Sequence, residues 1–477
     1  MLEQFRKKYD VKIGLAPTHR AMFGKEGALV YKKIVEEKVK TYDVQIENLD
    51  WLNEDGLLYD GADADKVAKK FNESGVDAVF FPHCDFGAED AVSRLAKRMN
   101  KPVLIWGPQD DAPGPDGLRS RDSQCGIFAS TKVLRRFGVP FTYITNSRIE
   151  DGVFDRGFKN FVSVASIIKA FRNIRIGQIS TRPGPFWSVI SNEGELLEKF
   201  GIEVVPTTLV DIEKATKSIL ADNPEVLKTT VQDIKKKIKN IKIDDEGLTR
   251  TAALKLAISR WAEAEGLSAV AIQCWTAMQS ALGLIPCFVN GELTDDGLPV
   301  ACETDLHGAV TSIIAQAAIR GASPTFFADL TIRHTDNPNA ELLWHCGNFP
   351  YSLAKDGKAA SVSDQHGALC PAAGNWEIKG GDITLCRFDG ANGEYSLLMG
   401  NGKGVEGPYS RGTYLWVEFN DWPLWEHKFV YGPYIHHCTG IHGKLAPALY
   451  EACKYIPGLK PDPVEPTEAE ILKFLRG

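Results

Sequence analysis

The chain has 477 residues, 44% of them hydrophobic and 25% charged, a composition that excludes both a disordered chain and a single small module. Its 55 Lys and Arg against 62 Asp and Glu leave a net charge of −7. That balance lacks the basic excess that nucleic-acid backbones require, so nucleic acid is not an expected partner.

The amino-terminal segment lacks the apolar core and small-residue cleavage site of a secretion signal, and no apolar run is long enough to span a membrane. The ten cysteines are scattered singly, without a CxxC pair. That pattern is typical of reduced thiols and favours neither a disulfide framework nor a cysteine zinc site. We therefore expect a cytoplasmic protein without a membrane partner.

Short apolar runs alternate with amphipathic helical stretches from residue 11 to about 150. The runs predict five strands, at residues 11–17, 43–49, 76–82, 101–108 and 140–146. Strands that alternate with helices in this way indicate a doubly wound parallel sheet. The pattern restarts after a helical stretch at 157–172, with further apolar runs at 173–180, 202–209, 268–274 and 324–332. These runs predict a second parallel sheet.

Beyond residue 347 the sequence changes to short strands punctuated by glycine, with no predicted helix before 442–455. Short strands separated by glycine-containing turns indicate an antiparallel β domain, either a small barrel or a sandwich. The fold class we predict is α/β, with two successive doubly wound parallel-sheet domains followed by an antiparallel β-barrel-like C-terminal domain. The predicted limits of the three domains are residues 1–172, 173–347 and 348–477.

Open α/β sheets bind ligands beyond the carboxyl ends of their strands, so the polar residues that follow each apolar run are candidates. In the first domain these residues lie at 17–20, 83–85 and 106–109. None of the three loops forms a glycine-rich phosphate cradle, and helix capping explains most of their polar side chains. Arg20 is the exception, because a cation in such a crevice suits a polyhydroxylated or anionic ligand.

Two carboxylates, Glu303 and Asp329, follow apolar runs in the second domain. A buried carboxylate is costly unless it is protonated, paired or bound to a metal. Either one alone has the appearance of a helix cap, and Asp305, in the turn ETDLHG, is interpreted as one. Together the two strand-end acids favour a cation that prefers oxygen ligands.

Three histidines lie close together late in the chain, at positions 436, 437 and 442 in YIHHCTGIHG. Imidazole beside two carboxylates is a recurrent metal-binding set, compatible with Mn²⁺, Fe²⁺, Co²⁺ or Zn²⁺. His345, at the end of another apolar stretch, is a further candidate ligand, although a packed core histidine explains it equally well.

The segments CETDLHGA around Glu303, FFADL around Asp329 and the late HHCTGIHG resemble those of the L-fucose and L-arabinose isomerase superfamily. The resemblance extends over nearly the whole chain and implies a metal held by Glu303, Asp329 and His437. It places His436 beside the substrate and His345 where the arabinose branch has a fourth ligand. It further implies substrate contacts for Arg20 and Gln273.

The resemblance implies a metal-dependent aldose–ketose isomerase, an intramolecular oxidoreductase that acts through a cis-enediol. Mn²⁺ is the expected metal, with Co²⁺ or Mg²⁺ as alternatives, and no organic cofactor is expected. Glu303 and Asp329 would be both ligands and the general acid–base pair. The alternatives are a metal-dependent sugar epimerase or aldolase, and a non-catalytic two-lobed sugar-binding protein.

The resemblance also implies a homo-oligomer, expected to be a hexamer, with active sites shared between subunits. Arg20 belongs to the first predicted domain, whereas the metal residues all lie beyond residue 300. The sequence leaves the sugar open among fucose, arabinose, their D-epimers and sulfonated or deoxy hexoses, because one or two loop side chains determine that choice.

Overall fold

The computed structural model of the protein describes residues 9–364 and 371–477. Within these residues the chain divides into two compact units. The first comprises Tyr9–Lys169, Glu451–Ile456 and Glu468–Gly477, and the second comprises Ala170–Tyr450 and Pro457–Thr467. None of the helices described here combines the length and the apolar content that crossing a membrane demands.

A five-stranded parallel sheet forms the centre of the first unit, with the strand order β2-β1-β3-β4-β5. Its strands are β1 (Lys12–Leu15), β2 (Gln45–Glu47), β3 (Ala78–Pro82), β4 (Val103–Trp106) and β5 (Thr142–Tyr143). Its helices are α1 (Lys25–Val39), α2 (Ala64–Glu73), α3 (Glu89–Met99), α4 (Ser123–Arg136) and α5 (Gly152–Phe171). The sheet confirms the five strands predicted for this part of the chain.

Both faces of this sheet are covered, which explains why its strands read as continuous apolar runs. In β3, Phe80 packs on one face with Phe154 and Phe158 of α5. The next residue, Phe81, faces the opposite side and packs in the cluster that contains Leu95 of α3. The unit is therefore doubly wound, with a separate core on each side of the sheet.

The second unit begins with a four-stranded parallel sheet of order β10-β9-β6-β7. The strands of this region are β6 (Arg175–Ile179), β7 (Glu203–Thr207), β8 (Asn240–Ile241), β9 (Ala269–Ile272) and β10 (Val300–Cys302). The helices are α6 (Glu193–Phe200), α7 (Leu209–Asp222), α8 (Pro224–Lys237), α9 (Asp245–Ala264), α10 (Ala277–Leu282), α11 (Cys287–Asp295) and α12 (Leu306–Ala318). Side chains of Asn192, Thr208, Asp244 and Asp305 cap α6, α7, α9 and α12.

A closed six-stranded antiparallel barrel completes the second unit, in the cyclic order β16-β15-β18-β11-β12-β17. The strands are β11 (Phe326–Arg333), β12 (Ala340–His345), β13 (Ser361–Ser363), β14 (Ala373–Glu377), β15 (Gly381–Ala391), β16 (Glu394–Val405), β17 (Thr413–Glu418), β18 (His437–His442) and β19 (Leu459–Pro463). The remaining helices are α13 (Trp422–Tyr431), α14 (Ala446–Ala452) and α15 (Glu468–Arg476). Two parallel sheets with helices, followed by a barrel, confirm the predicted fold class.

Two local expectations were wrong. The run at 324–332 was expected in the second parallel sheet, but β11 pairs antiparallel with β12 and β18 in the barrel. A short apolar run does not distinguish a parallel strand from an antiparallel one, and the β18 partner lies far along the chain. The helix α13 was not expected, because its aromatic-rich sequence favours strands; Asp421 caps it at Leu424. The domain limits at 172 and 347 stay a prediction.

Candidate active site

Glu303 lies at the carboxyl edge of the second unit's parallel sheet, in the turn between β10 and α12. Glu303 and Thr304 both have positive φ, 62° and 58°, a conformation that non-glycine residues adopt rarely and that concentrates at functional sites. The Thr304 N–H donates to the carbonyl of Ile272 at 3.0 Å, which ties the turn to the end of β9. Gln273 follows β9 directly, so Glu303 and Gln273 leave neighbouring strands at one edge.

Asp329 and His437 are placed by the register of the barrel. They are direct partners across the antiparallel pair β11 and β18, so their side chains lie on the same face of the barrel wall. His437 is fully buried, whereas Asp329 is partly buried. The pairing of two strands distant in sequence therefore brings a carboxylate beside an imidazole.

Two of the predicted metal ligands, Glu303 and Asp329, approach the imidazole nitrogen of the third, His437. His437 Nε2 lies 2.9 Å from Glu303 Oε2 and 3.5 Å from Asp329 Oδ1. Yet among the described residues, His437 Nε2 and Asp329 Oδ1 are buried atoms without an aligned hydrogen-bond partner. Buried polar atoms are normally paired, so this grouping of nitrogen and oxygen donors fits a divalent metal ion.

His436 also lies near this grouping. Ligand atoms of Asp329, His436 and His437 all lie within 4.8 Å of one another, although the His436 side chain is exposed. The backbone carbonyl of His436 accepts the N–H of Leu330 at 2.9 Å. The structure therefore brings both members of the histidine pair to Asp329.

His345, on β12, is oriented by its own backbone. Its Nδ1 accepts the N–H of Cys346 at 2.8 Å, and its Nε2 lies 3.9 Å from Asp329 Oδ1. A neutral imidazole that accepts at Nδ1 carries its proton on Nε2. In this orientation His345 suits the donation of a proton toward Asp329 better than the binding of a metal through Nε2.

Asp305 caps α12, as the sequence indicated, since its Oδ1 accepts the Gly308 N–H at 2.9 Å. The sequence did not reveal its second contact, because Asp305 Oδ2 also accepts Nδ1–H of His437 at 2.9 Å. Arg387 of β15 pairs with the same carboxylate and is itself buried. The available signal was a lone arginine within the apolar run ITLCRF.

The ionisable groups of this cluster influence each other strongly. Burial raises the pKa of Asp329 to about 6. Burial disfavours the charged ring of His437, but the carboxylates of Asp305 and Glu303 outweigh it and raise the pKa of His437 to about 9. Burial would also raise the pKa of Glu303, but the adjacent His437 outweighs it and holds that pKa below its usual range.

Arg20, the predicted substrate contact, belongs to the first unit, where it follows β1. Its guanidinium lies 4.0 Å from the ring centroid of Phe86, and its Nε donates to the Gly87 carbonyl at 2.8 Å. A carboxylate, Glu89, lies 3.6 Å from its Nη2. The cation is therefore held in one orientation at the carboxyl end of β1, with part of its side chain exposed.

The neighbouring His19 was not singled out for chemistry by the sequence. Its ring is buried, and Nδ1 lies 2.5 Å from Oδ2 of Asp85, which follows β3. Asp85 Oδ1 accepts the backbone N–H groups of Arg20 and Gly87 at 3.0 and 2.8 Å. This pair joins the loops after two neighbouring strands, β1 and β3, where the strand order changes direction.

The family model "Fucose/sulfoquinovose isomerase, N-terminal domain" matches residues 14–172. Proteins named sulfoquinovose isomerase from Priestia aryabhattai and Priestia megaterium are each 25% identical over 345 residues, which is 72% of this chain and 75% of the relative. A sulfoquinovose isomerase from Alkalicoccus urumqiensis is 26% identical over 333 residues, 70% of this chain and 73% of the relative.

Among solved structures, a periplasmic solute-binding protein of an ABC transporter from Actinobacillus succinogenes 130z, with bound D-allose, is 14% identical. The match covers 65% of this chain and 88% of that protein. Its TM-score is 0.16, so the match carries no argument about the fold or the activity of this chain.

Proposed function

We propose that this chain, a sugar aldose–ketose isomerase of the fucose isomerase-like superfamily, depends in its reaction on a divalent metal held by Glu303, Asp329 and His437. The observation that carries the metal proposal is the set of buried, unpaired donor atoms on His437 and Asp329 beside the Glu303 carboxylate. Two carboxylates and one imidazole suit Mn²⁺, the proposed ion, and also Co²⁺ or Mg²⁺.

When bound, such an ion supplies a Lewis acid that polarises the sugar carbonyl and stabilises the negative charge that develops on its oxygen. Glu303 and Asp329 then transfer a proton between C2 and C1 of the open-chain sugar, through a cis-enediol. Glu303 approaches from the edge of the parallel sheet and Asp329 from the barrel wall, so the two carboxylates come from different layers. No organic cofactor takes part in this scheme.

We propose a sulfonated aldohexose as the first substrate class to test, because each of the relatives described above is named a sulfoquinovose isomerase. Arg20 supports this choice, since a guanidinium is suited to a sulfonate. Gln273 and His436, at the edge of the sheet and beside Asp329, are the proposed contacts to the sugar hydroxyls.

We propose that the active protein is a homo-oligomer, a hexamer, in which Arg20 of one subunit completes the metal site of another. The support is that Arg20 and the metal residues lie in different compact units of the chain. Closed symmetric assemblies are the usual form of such shared sites.

The experiment that tests the metal-dependent isomerase is a ketose-forming assay on a panel of aldoses. The purified protein is stripped with chelator, then assayed with and without Mn²⁺ on sulfoquinovose, fucose, arabinose and their epimers. Activity lost with the metal and restored by Mn²⁺, with a ketose of equal carbon number as product, supports the proposal. Undiminished turnover in the metal-free protein would refute the metal dependence, and an epimeric aldose as product would refute the isomerisation.

A further inference from the structure

A chain of buried charged groups continues from the back of the candidate metal site into the barrel wall. His437 Nδ1 donates to Asp305, Asp305 pairs with Arg387, and Arg387 Nε donates to Asp389 Oδ2 at 2.8 Å. His307 Nδ1 lies 2.8 Å from the other oxygen of Asp389. The five side chains come from α12 and its N-cap, β15 and β18, and each residue is at most 6% exposed.

The Asp305 carboxylate occupies the centre of this chain and has both oxygens fully engaged. Oδ2 accepts from His437 Nδ1 at 2.9 Å and from Arg387 Nη1. Oδ1 accepts from Arg387 Nη2 at 3.1 Å and from the Gly308 N–H at 2.9 Å. A carboxylate that accepts from donors on several sides has no freedom to turn, so its position relative to the imidazole is determined.

This contact determines which nitrogen of His437 faces the candidate metal site. A carboxylate that accepts at Nδ1 requires a proton there, so Nε2 is the nitrogen that faces Glu303 and Asp329 and that binds a metal once its own proton is lost. A helix cap needs only the hydrogen bond that the Gly308 N–H donates to Asp305. The buried arginine and second aspartate are therefore more than the cap requires.

We propose that Asp305, held by Arg387 and Asp389, is a positioning residue that sets the tautomer and the direction of the His437 ring for metal binding. The metal part of this inference rests on the proposed function. The hydrogen bond from His437 Nδ1–H to Asp305 exists without metal and is tested in the metal-free chain.

The test variant is Asp305→Asn, compared with Asp244→Asn as the matched control. An asparagine at 305 has a single acceptor oxygen, so one orientation of its amide places N–H donors opposite Gly308 and Arg387 Nη2, and the other places them opposite His437 and Arg387 Nη1. Asp244 caps α9 at Gly247 in the same manner, at 2.7 Å, so its variant makes the same exchange at an equivalent cap that lies outside this group of buried charges.

The first readout needs no metal. In the metal-free protein with ¹⁵N-labelled histidine, the His437 signals are identified by their loss in His437→Gln. We expect the Nδ1 proton of His437 to be protected from exchange in the wild type and in Asp244→Asn, and to shift or exchange in Asp305→Asn. Identical His437 signals in the wild type and Asp305→Asn would overturn the proposal.

The second readout is the dissociation constant for Mn²⁺, measured from the electron paramagnetic resonance signal of the free ion. We expect affinity to fall about 10- to 100-fold in Asp305→Asn and to stay within about twofold of the wild type in Asp244→Asn. If Asp305→Asn does not fold, Arg387→Lys is measured in its place, because a single ammonium group does not bridge the carboxylates of Asp305 and Asp389. We expect this variant to bind Mn²⁺ several-fold more weakly than the wild type.

The outcomes separate the positioning role from the metal site itself. If the wild type does not bind Mn²⁺, or if His437→Gln binds it as well as the wild type, the proposed metal site is refuted. The histidine spectra of the metal-free wild type and Asp305→Asn would then still show whether Asp305 positions the His437 ring. Equal loss of Mn²⁺ affinity in Asp305→Asn and Asp244→Asn would show a merely structural effect and would overturn the positioning role.

Discussion

The carboxyl edges of the two parallel sheets differ in whether their buried polar groups are hydrogen-bonded. At the edge of the first unit's sheet, His19 pairs with Asp85, and His83 Nε2 lies 2.8 Å from Ser130 Oγ. At the corresponding edge in the second unit, Glu303 meets two barrel residues whose buried atoms, among the residues described, lack aligned hydrogen-bond partners. Buried polar groups are normally paired, so the comparison favours the second unit as the place of the proposed metal site.

Substitutions at the Glu303 edge of the second unit's sheet should reduce turnover more than any other change considered below. Glu303→Gln and Asp329→Asn keep the side-chain size but remove the charge that balances a dication and the group that transfers the proton. We expect each to lower kcat at least about 10³-fold in the ketose-forming assay with Mn²⁺. The circular dichroism spectrum should match that of the wild type, and near-normal turnover in either variant would exclude this site.

The metal content of variants distinguishes His437 from His345 as the metal ligand. We expect His437→Ala to lose bound Mn²⁺ far more severely than His345→Ala, because His437 Nε2 faces both carboxylates whereas His345 accepts a backbone N–H at Nδ1. Metal analysis after gel filtration measures the ratio. Full metal content in the His437 variant would transfer the ligand role to His436, which also lies beside Asp329.

Mixing of subunits tests whether the two edges cooperate in one active site. Arg20→Ala and Glu303→Gln subunits are each expected to be inactive alone. If a site combines Arg20 of one subunit with Glu303 of another, random mixing in equal amounts restores about a quarter of the sites, half of one requirement times half of the other. Assay after proven subunit exchange gives the answer, and no restored activity would contradict the shared site.

A smaller effect is expected on the stability of the folded protein, through His83 at the carboxyl edge of the first unit's sheet. Burial lowers the pKa of His83 to about 4, below the usual 6.5, so the unfolded chain binds the proton more readily. Stability should therefore fall as pH drops below 6.5 and level off below about 4, with about 2 kcal/mol lost by pH 5. Urea unfolding at pH 7 and pH 5 measures the loss.

His83→Gln is the control for that measurement, because glutamine retains polar atoms near Ser130 but does not titrate. The fall in stability between pH 7 and pH 5 should be smaller in this variant by the same amount. An equal fall in both proteins would assign the pH dependence to other groups.

Several parts of the site follow from local pattern alone. Glu303 directly follows an apolar strand and Arg20 lies in the loop after another, and polar residues in such places line the ligand crevice of an open α/β sheet, so the sequence indicated both. Asp305 has the sequence context of a helix cap and does cap α12. The alternation of apolar runs with helices likewise predicted two parallel sheets, because strands that are buried on both faces have nearly continuous apolar sequences.

Residue type and local periodicity were enough to predict the class of the fold, the candidate carboxylates and the late histidine pair. The three-dimensional structure was needed to show that Asp329 belongs to the barrel, that it lies directly across from His437, and that Arg387 pairs with Asp305. Antiparallel register and buried ion pairs join residues far apart in sequence, and no local pattern indicates which distant strand supplies the partner.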